Sequence, residues 1–309
     1  MTEYSDLTQY ALQHSWVTVG SFDGIHRGHQ ELIQHLVEEA HNDHSPAVVI
    51  TFHPHPASFF GRTPQAYTLT SPEERETLLL ALGVDHVITL KFDAGLANLT
   101  ALNFMEMLKK HLGLTRLLIG FNFALGRGRT GDLDSLQQIG KALNYQVEVV
   151  KPVKFEGEVI SSSQIRSLLL EGKLQQANAL LGRPYSLEGH VIHGEHRGSR
   201  LGFPTANLEL LPERLLPARG VYAGRGFVHD NSYIAVTNIG VRPTFANPLP
   251  EPRVEPYLLD LQEDLYGQAL KLELIEYLRP EQAFATPADL VAQVNRDIEK
   301  TREMFKNGE

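Results

Sequence analysis

The chain has no cysteine among its 309 residues. This absence excludes disulfide bonds, thiolate metal sites and thiol catalysis, and it fits a reducing compartment. The sequence also lacks an apolar run of about 18 residues, the length that indicates a transmembrane helix. Residues 1–6 are polar and acidic and show no basic or apolar region of a secretory signal peptide. Together these absences predict a cytoplasmic location without a membrane span.

Positive charge is scarce as well. The sequence contains 28 Lys and Arg against 37 Asp and Glu, which gives a formal net charge of -9. Such a balance argues against general binding to nucleic acid or to an anionic membrane surface. An anionic small molecule would then be held by local basic side chains and backbone amides. We therefore expect small-molecule substrates, no nucleic acid and no membrane partner, and the oligomeric state stays open.

The pattern of the chain changes at residues 182–184 (GRP). Before this point strands alternate with amphipathic helices, which predicts a doubly wound parallel sheet of the Rossmann-like α/β class. Beyond it, short strands separated by Pro and Gly turns and one terminal helix predict a small antiparallel barrel. We therefore expect two domains, residues 1–183 and residues 184–309.

Residues 20–29 (GSFDGIHRGH) follow the first predicted strand and open a helix. Glycines at such a turn let the backbone approach a ligand, and the helix start presents N–H groups to an anion. His26 and His29 are three residues apart, so they can share a face and stabilise charge on a phosphoryl group. Gly28 between them leaves room for a nucleotide. Solvated helix-cap histidines or a metal pair are the alternatives.

Residues 160–166 (ISSSQIR) form a second candidate phosphate segment. Ser162 and Ser163 lie at a predicted helix start, where hydroxyl and N–H groups can hold a pyrophosphate. Arg166, one turn later, can contact a phosphate with two hydrogen bonds. The serines equally suit a helix N-cap.

Residues 202–207 (GFPTAN) are a candidate metal-nucleotide segment in the second half. Thr205 and Asn207 alternate, so in an extended chain they point the same way. Their hydroxyl and amide oxygens are ligands that suit Mg²⁺ with its nucleotide phosphates. Arg197 and Arg200, with the nearby glycines, could cover those phosphates. A locally capped turn is the alternative.

These segments together resemble the bacterial bifunctional riboflavin kinase/FAD synthetase family. In the first half the similarity is carried by residues 20–29, 51–56 (TFHPHP), 120–126 (GFNFALG) and 160–166. In the second half it is carried by residues 198–207 (GSRLGFPTAN), 220–224 (GVYAG), 238–245 (NIGVRPTF), 254–260 (VEPYLLD), 264–267 (DLYG) and 278–281 (LRPE). The sequence departs from the family pattern at Leu125, Ser163, Pro256 and Tyr257. The resemblance covers about residues 15–305, in the family's domain order.

The resemblance implies two consecutive reactions that consume ATP with Mg²⁺. Riboflavin is phosphorylated to FMN in the second domain, and FMN is adenylylated to FAD in the first. It places the general base of the kinase on Glu255. Because Pro256 lacks an N–H, we expect this strand at a sheet edge or at a bulge. The rival interpretations are a single-activity nucleotidyltransferase and a non-catalytic flavin-sensing regulatory protein.

The site residues expected from the sequence and the resemblance fall into four groups. Catalytic roles are expected for Glu255, His26, His29, Asn122 and Arg166; ATP or phosphate contacts for Gly20, Phe22, Asp23, Gly24, Gly28, Ser162, Ser163, Arg197, Gly198, Arg200 and Gly202; flavin contacts for Phe52, Pro54, His55, Pro56 and Phe123; and metal contacts for Thr205 and Asn207.

Overall fold

The computed structural model describes residues 4–193, 202–229, 231–242 and 251–306, with the backbone alone at residues 242, 251 and 252. The chain divides into two compact units, Met1–Ser162 and Ser163–Glu309.

The first unit alternates strands and helices along the chain, as predicted. Its strands are β1 Ser15–Val19, β2 Ala47–His53, β3 His86–Lys91, β4 Leu114–Gly120, β5 Gln146–Val150, β6 Lys154–Phe155 and β7 Glu158–Val159. Its helices are α1 Arg27–Asn42, α2 Pro56–Phe59, α3 Pro72–Ala81, α4 Ala94–Ala97, α5 Ala101–Leu112 and α6 Leu133–Leu143, and α7 Ser162–Leu170 begins at its last residue.

The main sheet of this unit is parallel, with the strand order β3-β2-β1-β4-β5. The predicted parallel, doubly wound sheet is therefore confirmed. The chain proceeds from β1 to one edge through β2 and β3, then returns to the other side of β1 with β4 and β5. Ligands of open α/β sheets bind where the strand order reverses, beyond the carboxyl ends of the strands. Here that position lies between the segments that follow β1 and β4.

Apolar side chains cover both faces of the sheet. Val17 and Val19 of β1 belong to one buried cluster, which includes Met105 and Leu108 of α5. Trp16 belongs to the cluster on the opposite face, which includes residues of α1. Alternation along a strand sends successive side chains to opposite faces, so a strand covered on both sides is buried throughout. β1 is buried at all five positions.

Helix α3 shows how local sequence orients a side chain that the site uses. Ser71 accepts a hydrogen bond from the Glu74 N–H at 3.0 Å, Glu74 accepts one from the Ser71 N–H at 3.4 Å, and Pro72 occupies the first helical position. This capping box starts the helix at the predicted residue. The register that it sets places Arg75 inside the unit, 3% exposed.

The second unit is an antiparallel sheet with helices packed on it. The described residues contain α8 Leu174–Leu181, β8 Tyr185–Ile192, β9 Asn207–Glu209, β10 Gly220–Val228, β11 Asn231–Arg242, β12 Glu251–Leu258, β13 Ala269–Arg279 and α9 Pro287–Lys306, with α7 at the start.

The strand order is β12-β11-β10-β13-β8-β9, and the two ends of this order are joined. The Ala206 N–H, next to β9, donates to the Pro256 carbonyl of β12 at 2.9 Å. A sheet whose terminal strands meet leaves fewer open edges, as in a barrel. The predicted small antiparallel barrel with one terminal helix is confirmed.

Helix α8 packs on the barrel of the second unit. The Asn178 side chain donates to the Leu274 carbonyl at 2.9 Å and accepts from the Tyr185 N–H at 2.8 Å. The helix therefore belongs to the unit that starts at Ser163, while the predicted domain boundary lies after it, at residue 183. That boundary stays a prediction. The short elements α2, α4, β6, β7 and β9 were not predicted, because segments of two to four residues carry no readable period.

Candidate active sites

The turn after β1 has an uncommon backbone. Phe22, Gly24 and Ile25 have φ angles of 44°, 86° and 38°, in the left-handed region that non-glycine residues rarely adopt. Gly20 is also restricted by space, since a Cβ there would lie 3.0 Å from the Phe22 ring. The turn thus holds Phe22 folded back over Gly20, at the carboxyl end of the central strand. Strain of this kind is concentrated at functional sites.

His26 and His29 form a stacked pair at the start of α1. Their ring centroids are 3.7 Å apart and their planes differ by 15°. His26 is the N-cap residue, and its Nδ1 accepts from the His29 N–H at 3.3 Å, so a neutral His26 carries its proton on Nε2. A Cβ on Gly28 would lie 3.2 Å from the His26 ring. The His26 ring therefore borders the space beside Gly28, which we expected to accommodate a nucleotide.

The environment of His29 favours the neutral imidazole. Burial lowers the pKa of His29 well below its usual 6.5, and the nearby charges of His26 and Arg75 lower it further. Phe22 packs edge-on against the ring with centroids 5.3 Å apart. Nδ1 of His29 is buried without a hydrogen-bond partner in the described part of the chain. The pair can offer hydrogen bonds to a phosphoryl group without two adjacent positive charges.

Asp23 fixes the turn to the segment that precedes α3. Its carboxylate accepts from the Leu69 N–H at 2.9 Å and the Thr70 N–H at 3.1 Å, and the residue is 2% exposed. Its carbonyl accepts from the Ser162 hydroxyl at 2.9 Å. These contacts describe a structural role for Asp23 and for the Ser162 hydroxyl. Phosphate contacts of the two residues stay a prediction.

Arg75 lies beside this turn and was not among the residues expected from the sequence. Its Nη1 donates to the Ser21 carbonyl at 2.5 Å, the Thr51 hydroxyl at 3.1 Å and the Phe52 carbonyl at 3.4 Å. Burial lowers the pKa of Arg75, and the charge of nearby Asp23 opposes this effect. The guanidinium therefore ties the turn after β1 to the end of β2. An arginine on a capped, polar helix gives no sequence signal of such a role.

Aromatic residues cluster where β2 ends. Phe52, Phe59 and Phe60 each contact the ring of Phe92, with centroids 5.4 to 5.9 Å apart. Phe59 is 39% exposed and Phe60 is 50% exposed, and the Arg62 guanidinium lies 5.1 Å from the Phe60 centroid. Of this cluster, only Phe52 was expected from the sequence. The two adjacent phenylalanines shortly after the TFHPHP segment were the signal that could have identified Phe59 and Phe60.

The remaining predicted flavin residues take structural positions. His55 caps α2, with Nδ1 accepting from the Ala57 N–H at 3.1 Å, and Pro56 is the first residue of that helix. Pro54 is partly buried next to them. Phe123 packs partly buried against the core. Flavin contacts of these four residues stay a prediction.

The loop after β4 lies on the other side of the strand-order reversal. Asn122 is exposed there, and its carbonyl accepts from the Arg129 side chain at 3.4 Å. Ser163 and Arg166 fall in the second unit, where Arg166 is 6% exposed. Catalytic or phosphate contacts of these three residues stay a prediction.

In the second unit, the predicted metal residues lie beside the strand of the predicted base. Thr205 and Asn207 flank Ala206, whose N–H bonds the Pro256 carbonyl. Asn207 opens β9 and pairs with Ile192 of β8. Both side chains are partly exposed. Their hard oxygen donors, accessible and next to β12, fit a Mg²⁺ ion that takes its other ligands from phosphates and water.

Pro256 is accommodated because it lies on the terminal strand of the sheet order. Its carbonyl faces Ala206, and the N and C=O of one residue point to the same side of a strand, so its missing N–H falls outside the ladder with β11. The pairing of β11 with β12 is continuous, with Asn238 opposite Glu255 and Thr237 opposite Pro256. The strand therefore lies at an edge of the ladder and has no bulge at this point.

Glu255 is partly exposed on the face of β12 away from the buried Val254 and Leu258. Arg253 Nη1 lies 3.3 Å from its Oε1. The carboxylate is thus accessible and held by one cation. Gly202 is exposed with a φ of 90°, whereas Arg197, Gly198 and Arg200 lie outside the described residues.

Within the residues described, no helix is long and apolar enough to cross a membrane, and no cluster of His, Cys, Asp or Glu could hold a metal ion. A doubly wound sheet with a histidine pair at a helix start, combined with a barrel that places the Thr-Ala-Asn segment beside the strand of Glu255, is the arrangement expected of a two-site enzyme of phosphoryl and nucleotidyl transfer. Comparisons with known proteins identify the family.

The family model for FAD synthetase matches residues 8–164, and the model for riboflavin kinase matches residues 181–305. The chain is 37% identical to the bifunctional riboflavin kinase/FMN adenylyltransferase of Escherichia coli K12, over 97% of this chain and 96% of that protein. It is 34% identical to the protein of the same name from Bacillus subtilis, over 95% and 93% of the two chains. The chain belongs to the bifunctional riboflavin kinase/FMN adenylyltransferase family.

A solved structure from Streptococcus pneumoniae, titled a macrolide-efflux protein, has the same fold over nearly the whole chain. Its TM-score is 0.87 at 32% identity, and the match covers 96% of this chain and 97% of that chain. That name belongs to the pneumococcal protein, and the similarity extends the shared fold to both units.

Proposed function

We propose that this chain converts riboflavin to FMN in its second unit and FMN to FAD in its first, using ATP in each reaction. The kinase assignment rests on the hydrogen bond between Ala206 and Pro256, because it brings the Thr205–Asn207 segment next to the strand of Glu255. The adenylyltransferase assignment rests on the stacked His26 and His29 at the start of α1, beside the reversal in strand order.

In the kinase reaction, Glu255 accepts the proton of the ribityl 5′-hydroxyl as its oxygen attacks the γ-phosphorus of ATP. The bond to the β,γ-bridging oxygen breaks, and ADP leaves. Arg253 holds the Glu255 carboxylate in place through the contact of 3.3 Å. Thr205 and Asn207 would hold Mg²⁺, which supplies charge neutralisation on the phosphates when bound.

In the adenylyltransferase reaction, an oxygen of the FMN phosphate attacks the α-phosphorus of ATP, and pyrophosphate leaves. The nucleophile is already ionised at neutral pH, so no strong base is required. Positioning and charge stabilisation then supply most of the rate. The His26–His29 pair donates to the phosphoryl oxygens, and Arg75 keeps the turn that carries the pair fixed against β2.

The aromatic cluster at the end of β2 binds the flavin ring in this proposal. Phe59 and Phe60 expose ring surface beside the TFHPHP segment. A planar, weakly polar isoalloxazine gains from stacking and from burial on such rings. Arg62, whose guanidinium lies over the Phe60 ring, would supply a cation for the FMN phosphate.

Chromatography of products tests the assignment. Purified protein with riboflavin, ATP and Mg²⁺ should yield FMN and then FAD, with ADP and pyrophosphate in matching amounts. FMN without FAD, or FAD only from supplied FMN, would support a single-activity enzyme. Flavin binding without ATP consumption would support a flavin-sensing protein. We propose a cytoplasmic location, which cell fractionation tests.

A further inference from the structure

A carboxylate occupies the space beside Gly240 that a side chain would normally fill. A Cβ on Gly240 would lie 2.0 Å from Oε1 of Glu281 and 2.7 Å from its Cδ. Gly240 is buried in β11, and its φ is not in the left-handed region. A side chain at this position would therefore force the exposed, flexible end of Glu281 to move away, although the backbone itself would accept other residues.

This carboxylate lies on the face of the barrel that carries the proposed base. Asn238 and Gly240 are alternate residues of β11, so they face the same side. Their partners on β12 are Glu255 and Arg253, whose side chains lie on that side as well. Glu281 therefore lies over the cross-strand pair Gly240–Arg253, and the next pair on the same face is Asn238–Glu255.

Glu281 differs from the other carboxylates of this region in its partners. Glu255 contacts Arg253, and Asp260 contacts Arg302 at 2.7 Å. Glu281 makes no hydrogen bond or ion pair within the described part of the chain. An ionised carboxylate can only accept hydrogen bonds, so its oxygens are available to a donor from a ligand.

The position of Glu281 is set by the end of β13. Arg279 donates from Nε to both Asp297 oxygens at 3.1 and 3.0 Å and from Nη2 at 2.8 Å, which fixes the strand to α9. Nη1 of Arg279 donates to the Pro280 carbonyl at 3.1 Å. These contacts fix the backbone just before Glu281. The Glu281 carboxylate therefore lies against Gly240 without a hydrogen-bond partner of its own in the described part of the chain.

We propose that Glu281 is a specificity-determining residue of the kinase site, whose carboxylate accepts hydrogen bonds from the secondary hydroxyls of a flavin's polyol side chain. The proposal rests on the proposed riboflavin kinase activity. Glu255 must meet the terminal hydroxyl of that chain, and Glu281 lies one cross-strand pair away on the same face. Hydroxyl donors match an acceptor-only group, and such a site rejects analogues that lack the hydroxyl.

Two substitutions impair this acceptor in different ways. Glu281→Gln keeps the shape, loses the charge and replaces one of the two acceptor oxygens with an NH₂ donor. Gly240→Ala leaves Glu281 unchanged and places a methyl group where its carboxylate lies. We expect either variant to weaken riboflavin binding, measured by quenching of flavin fluorescence, by about tenfold to a hundredfold. The KM for ATP should stay within about twofold of wild type, and Glu263→Gln, an exposed carboxylate of the same unit, should change neither.

Lumiflavin, which has the ring without the polyol, provides the specificity readout. Its inhibition constant against riboflavin should be the same in wild type and both variants, within about twofold. Equal weakening of riboflavin and lumiflavin would overturn the proposal, because the residue would then act on the ring or on the fold. A lower kcat with unchanged riboflavin affinity would also overturn it, since Glu281 would then be a base.

A double-mutant cycle tests whether Gly240 acts through Glu281. In a Glu281→Ala background, Gly240→Ala should have no further effect on riboflavin binding beyond about twofold. A large additional loss would show that the glycine matters for another reason. Flavin binding is measured without turnover, so a wild-type protein that binds riboflavin but forms no FMN would refute the kinase assignment separately from the role of Glu281.

Discussion

Arg75 is the buried cation that joins the two loops of the nucleotidyltransferase unit, and its replacement gives a sharp test of that unit. Arg75→Met keeps the length of the apolar stem and removes the donor to Ser21, Thr51 and Phe52. Hydrogen bonds of a charged group contribute about 1.5–3 kcal/mol each, and relief from burying the charge offsets part of the loss. We expect a net destabilisation of about 2–4 kcal/mol.

Thermal unfolding and activity report this change independently. For a unit of this size the midpoint should fall by about 5–15 °C. The turn that carries His26 and His29 loses the guanidinium contact and keeps the weaker tie from the Thr51 hydroxyl to the Ser21 carbonyl at 3.1 Å. A displacement of about 1 Å can cost a hundredfold in rate. FAD formation from FMN should therefore fall about a hundredfold at a temperature where the variant is folded. FMN formation by the same protein should be unchanged and is the internal control.

The titration of His29 separates an electrostatic role of Arg75 from a purely structural one. The charge of Arg75 contributes to the lowered pKa of His29, so Arg75→Met should raise that pKa toward 6.5. NMR of the imidazole protons measures it, with His29→Gln for assignment. A neutral His29 contributes stability above pH 6.5 that is lost as the pH falls toward its lowered pKa. The variant should lose less stability over this range than wild type.

Arg75→Lys is the matched control, because a single ammonium group keeps the charge and lacks the planar fork. It should retain the low pKa of His29 and lose part of the hydrogen bonding. Unfolding of Arg75→Met at the wild-type temperature would contradict this role of Arg75. Unchanged FAD formation together with an unchanged His29 titration would contradict it as well.

Three further predictions address the sites and the boundary between the units. Replacing both His26 and His29 by Ala should abolish FAD formation and leave FMN formation near wild type, measured as separate half-reactions; equal loss of both activities would contradict the assignment. Glu255→Gln should slow FMN formation about a hundredfold or more with riboflavin binding retained, and a rate within a few-fold of wild type would exclude it as the base. A fragment of residues 163–309 should unfold at a higher temperature than a fragment of residues 184–309, because the longer fragment keeps α8 on the barrel. Both fragments should make FMN without FAD, and equal unfolding midpoints of the two would contradict the contribution of α8.

Much of the fold followed from local patterns in the sequence. Strand–helix alternation predicted the parallel sheet, and the start of α3 was predictable to the residue because Ser71, Pro72 and Glu74 encode a cap that needs no tertiary partner. Short elements such as β9 were missed because their stability comes from pairing with distant strands rather than from their own residues.

The sequence by itself determined which residue types were available for chemistry: two histidines at a helix start, a Thr-Ala-Asn segment, a glutamate in a strand, and no thiol. Only the tertiary structure decided their relations. Ala206 meets Pro256 because the ends of the sheet close on each other, Arg75 reaches two loops because α3 packs against the sheet, and Glu281 lies over Gly240 because α9 holds Arg279. Each of these contacts joins residues far apart in the chain, and such contacts arise from packing, which local sequence patterns do not encode.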